Sequence, residues 1–252
     1  MPTKLPASRL VTLTASAIRQ HGRVMMTAAP WSLALFVLSL PFVLLTPKLI
    51  QLVHPGFVAV ICAGNLLTLV HVSLAWHRRI AAHDAAEGPR GAGWKYLLLI
   101  VLFSALAVAL VSANDVMPFL VYIALNNRGG DVLFFACVFA AWAVMWGGLP
   151  YLIGTFALSL PSVAVSGKYD FRRLRGALRT SVWPMVGMQL MLIGSAVLTR
   201  VALSRLLWER SGASLAQSVL GIVFCVVSVM VATAMCAVAY RELRADAGDR
   251  AA

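Results

Sequence analysis

The chain has 252 residues, of which 61% are hydrophobic and only 12% charged, with 21 Lys+Arg against 9 Asp+Glu and a net charge of +12. Soluble globular domains carry about twice that charged fraction, so an ordinary soluble enzyme, a disordered tail and a disulfide-rich secreted module are all excluded. An all-α, polytopic transmembrane bundle remains.

Residues 7–26 precede the first long apolar run. On a helical wheel Leu10, Leu13, Ala17, Ile18, Val24 and Met25 gather on one side, and Arg9, Ser16, Arg19 and Arg23 on the other. This pattern predicts an interfacial amphipathic helix with its apolar side in the acyl boundary. The absence of a small-x-small cleavage pattern argues against a removable signal peptide. Residues 1–30 are therefore read as a cytoplasmic arm, 31–240 as the transmembrane domain and 241–252 as a cytoplasmic tail.

Six stretches lack Asp, Glu, Lys and Arg altogether: 24–47, 49–77, 96–114, 132–167, 180–199 and 211–240. The shortest has 19 residues, close to the ~20 that a helix needs to cross the hydrocarbon. Six spans follow, because an uninterrupted apolar segment satisfies its own backbone only as a helix. Span 1 (31–50) should kink at Pro41. After span 3 the apolar run 116–125 is too short to cross alone, which predicts a surface or re-entrant segment. Span 4 should be kinked or two-piece at Gly147, Gly148 and Pro150. A second basic amphipathic helix is expected around Phe171, Leu174 and Leu178, with Arg172, Arg173, Arg175 and Arg179 facing away. Pro184 opens span 5, where its missing donor matters least.

Sixteen of the 21 basic residues fall in the N-terminal arm, the 2–3 and 4–5 connections and the C-terminal tail. The positive-inside rule then places both termini in the cytoplasm of a bacterial inner membrane. Trp31, Trp76, Trp94 and Trp183 fall at the cytoplasmic ends of spans, where indoles favour the interface. The basic residues lie directly beside spans, so the expected partners are anionic lipid headgroups rather than nucleic acid, each worth ~1 kcal/mol near the surface. The residues assigned to headgroup contact are Arg9, Arg19, Arg23, Arg78, Arg79, Lys168, Arg172, Arg173, Arg175 and Arg179. A second membrane protein is a further candidate partner.

Helix contacts in lipid favour small residues. Three stripes have the required spacing: Ala105, Ala109 and Ala113 in span 3; Ala136, Ala140 and Gly147 in span 4; and Gly221, Cys225, Ser228, Ala232 and Cys236 in span 6. They predict spans 3, 4 and 6 at the bundle centre. No CxxC occurs among the four cysteines, and Cys225 and Cys236 lie ~16 Å apart along a helix, so free thiols are expected and no metal site.

Intramembrane polar groups are the default functional suspects. Asn65, Thr68 and His71 share one sector of span 2, and Gln189 lies at similar depth in span 5. They would form either a small polar chamber or interhelical hydrogen bonds, and the second is favoured. Only His71 lies well inside a span, whereas a b-type haem needs two axial histidines on different helices, so no cofactor is expected. No carboxylate lies inside a span, which argues against a coupled pump. Neither HExxH nor GxSxG is present, and an enzyme would have to build its site near His77, Arg78 and Arg79.

The segments AWHRRI (75–80) and LSLPSVAVSGKYDFRRLRGALRTS (158–181) resemble junctions found in a group of small six-span bacterial inner-membrane proteins. That resemblance implies a bundle and a cytoplasmic basic helix, and no activity. The function expected is that of a non-catalytic accessory or organising membrane protein. The alternative is a passive or facilitated transporter of a small solute or lipid, with a path near Asn65, His71 and Gln189.

Overall fold

A computed structural model describes residues 6–81, 89, 91–125, 130–169, 183–209 and 212–248. Among them the chain is helical, without strands. In chain order the helices are α1 (Ala7–Ala28), α2 (Pro30–Leu44), α3 (Thr46–Leu52), α4 (Pro55–Ala81), α5 (Ala92–Leu125), α6 (Asp131–Ala157), α7 (Ser159–Ser166), α8 (Trp183–Glu209) and α9 (Gly212–Gly248). Five are long and apolar enough to cross a membrane: α4, α5, α6 with α7, α8 and α9; a sixth is formed if α1 and α2, bent by 87° at Ala29, count as one broken span. The result is an all-α polytopic bundle.

Several boundaries differ from those expected. Pro41 lies inside an unbroken α2, and the helix stops at Leu45 and restarts at Thr46, just before Pro47. Proline is easily housed in a first turn, because the donor it lacks is unpaired there anyway. Residues 116–125 form neither a separate surface segment nor a re-entrant one: α5 runs through Asp115 and Pro118 to Leu125. One charge at a membrane edge does not stop a helix, and Pro118 within the run is of the kind tolerated in membrane helices. Gly147, Gly148 and Pro150 do not break span 4 either; α6 passes through them, and the interruption comes at Leu158. α9 continues to Gly248, so the first residues of the tail prolong the last span. The second basic amphipathic helix, with Arg172, Arg173, Arg175 and Arg179, falls outside the described residues.

α9 is the centre of the bundle. Ala234, Ala237, Val238 and Ala239 have no exposed surface, because their short side chains let α1, α4, α7 and α8 approach it closely. Gly221 lies so near α8 that a Cβ there would meet Thr199 Oγ1 at 2.5 Å, and Cys225, Ser228 and Cys236 are buried on the same helix. The small-residue stripes on the other two spans behave differently. Ala105, Ala109, Ala136, Ala140 and Gly147 are exposed, and Ala113 is only half-buried. Spans 3 and 4 thus sit at the margin, joined by the bulkier Leu110, Met145, Trp142 and Trp146 together with Ile193 of α8. Alanine is as comfortable against lipid as against protein, so its spacing alone does not identify a packed face.

α1 also departs from expectation. Its apolar side, with Leu10, Ala17 and Met25, is packed against protein rather than turned into the acyl layer: it meets Val72, Trp76 and Ile80 of α4 and Met230 and Ala234 of α9 in one core. Trp76 is accordingly buried and donates from Nε1 to the Met25 carbonyl at 2.6 Å. Trp31, Trp94 and Trp183 are exposed.

Candidate functional site

The polar groups inside the spans collect mainly between α2 and α4. α2 carries hydroxyls at seven-residue intervals, Ser32, Ser39 and Thr46 at the start of α3, and that interval keeps successive residues on the side facing a neighbouring helix. Each has a partner on α4. Ser32 Oγ lies 2.7 Å from His71 Nδ1, Asn65 Nδ2 donates to Ser39 Oγ at 2.8 Å, and Thr46 Oγ1 lies 3.3 Å from Cys62 Sγ. Asn65 Nδ2 also donates to the Phe36 carbonyl at 3.2 Å, while Ser39 Oγ donates back to Leu35. Thr68 turns to its own helix and donates to the Asn65 carbonyl.

The arrangement is a three-rung ladder between antiparallel helices, buried at Asn65 and open to the surroundings at His71. Of the four polar residues expected to meet, Asn65 and His71 join it and Gln189 does not. Gln189 is half-buried on α8, a helix that shares no extensive contact with α4, and it makes no hydrogen bond to another described residue. Sequence reasoning missed Ser32, Ser39 and Thr46, although their heptad interval was a usable signal.

A second node joins α4 to α5. His77 is buried, with Nδ1 2.9 Å from the Ser73 carbonyl and 2.8 Å from Tyr96 Oη. If Nδ1 carries the proton it donates to Ser73; if it is bare it accepts from Tyr96. In either tautomer Nε2 is buried without a partner among the described residues. The rings of His77 and Tyr96 meet edge to face, with centroids 5.7 Å apart.

Beside this node α7 forms a buried plug. Leu158, Ser159, Val163 and Ala164 have no exposed surface, and α4, α5, α6 and α9 surround the helix. Its last turn ends in Gly167, at φ +67, and its carbonyls are met by basic groups, as suits the negative end of a helix. Arg78 Nε donates to Ala164 O at 3.3 Å and Lys95 Nζ to Gly167 O at 2.8 Å. Tyr169 Oη donates in turn to the Lys95 carbonyl.

The residues assigned to headgroups therefore divide. Arg9, Arg19 and Arg23 are exposed on α1, and Arg79 and Lys168 are exposed at the same end of the bundle. Arg78 is half-buried and engaged with α7. Among the described residues no group of three His, Cys, Asp or Glu is placed to hold a metal ion, and the nearest approach to a mixed chemical cluster, His77 with Tyr96, is closed off from the surroundings. What the arrangement does chemically is hold helices together. Comparison with known proteins gives no matching family model, no similar curated protein and no similar solved structure.

Proposed function

We propose that this chain is a non-catalytic multi-pass protein of the bacterial inner membrane, an accessory or organising subunit that acts through helix contacts and anionic-lipid contacts, with both termini in the cytoplasm. The observation that carries this reading is the use made of the intramembrane polar groups. Asn65 and His71 are bonded to α2, and the span-5 glutamine lies apart from them. A transport path would need those groups to converge on a shared space. The exposed cations Arg9, Arg19, Arg23, Arg79 and Lys168 at the α1 end support the lipid half of the reading, since basic residues beside a membrane attract anionic headgroups.

The test is mass spectrometry of the protein released in mild detergent. The reading expects anionic phospholipid in defined ratio together with a stoichiometric membrane-protein partner. Material that carries neither, or that moves a solute across proteoliposomes at a rate abolished by Asn65→Ala, would overturn it.

A further inference from the structure

We draw no further inference here: the strongest candidate, the buried His77–Tyr96 cluster between α4 and α5 with its unpartnered His77 Nε2, belongs to the polar arrangement already described, is closed off from the surroundings, and is joined by no set of His, Cys, Asp or Glu among the described residues that could hold a metal ion.

Discussion

Asn65→Ala separates a helix fastener from a solute-binding group. In the native chain the Asn65 amide makes two interhelical bonds, to Ser39 Oγ at 2.8 Å and to Phe36 O at 3.2 Å. Interhelical hydrogen bonds in membranes average ~0.6 kcal/mol and reach ~1.7. Ser39 retains its own bonds to Leu35 and Phe36, so no buried hydroxyl is orphaned and the loss stays near ~1–2 kcal/mol. In a protein of this size that corresponds to a fall in melting temperature of ~2–8 °C. Gln189→Ala removes a side chain with no hydrogen bond to another described residue and should fall within ~0.5 kcal/mol of the parent. The assay is thermal unfolding of both variants in the same detergent, together with a Ser39→Ala/Asn65→Ala double-mutant cycle, where a coupling of at least ~0.5 kcal/mol is expected. Equal melting temperatures for Asn65→Ala and the parent, or a larger effect from Gln189→Ala, would refute the reasoning.

Three further perturbations follow from close contacts. Gly221→Ala forces a methyl to within 2.5 Å of Thr199 Oγ1, prising α8 from α9; overpacking of this kind costs ~1–3 kcal/mol, readable as a lower midpoint in detergent unfolding. Gly167→Ala places a Cβ in a left-handed turn at φ +67 and 2.8 Å from Pro89 Cγ, for a loss of ~1–3 kcal/mol on the same scale. Trp76→Phe removes the donor to Met25 O and leaves a void where the larger indole was buried, which loosens the C-terminal end of α1; tryptic cleavage at the exposed Arg19 and Arg23 should accelerate several-fold and the melting temperature should fall.

Five of the six expected spans could be read from the sequence, because ionisable groups are too costly inside hydrocarbon to be scattered at random and their absence from 96–114 or 211–240 marks a membrane-length helix; the first, expected at 31–50, is long enough only if α1 and α2 count as one bent span. The faces were harder. Leu10, Ala17 and Met25 are correctly grouped by helical periodicity, yet nothing in an apolar side chain says whether it will meet lipid or α9. The same ambiguity defeated the stripes on α5 and α6, where alanine at spacing four faces outward, whereas on α9 the presence of Gly221, whose missing Cβ makes room for Thr199, was the better guide. Asn65 and His71 stood out as polar residues in an apolar run, but their partners did not. Ser32, Ser39 and Thr46 are common in membrane helices because they bond back to their own backbone, as Ser39 does to Leu35, and only the constant interval of seven distinguishes them. The breaks at Leu45 and Leu158 do have a local signature, since Pro47 and Pro161 fall in the first turns of α3 and α7, where the missing donor is tolerated.

The central claim is that the polar residues of the spans lock dry helices together rather than line a watery path. Native thiols report on this directly, because Cys62 is a rung of the ladder and Cys225 lies between α8 and α9 beside Ser195. In sealed native membranes treated with a membrane-impermeant maleimide from both sides, peptide mass spectrometry should find Cys62 and Cys225 unmodified, and fully modified after denaturation in SDS. Rapid modification of Cys62 in the intact membrane would mean that water reaches the ladder, and would contradict the account.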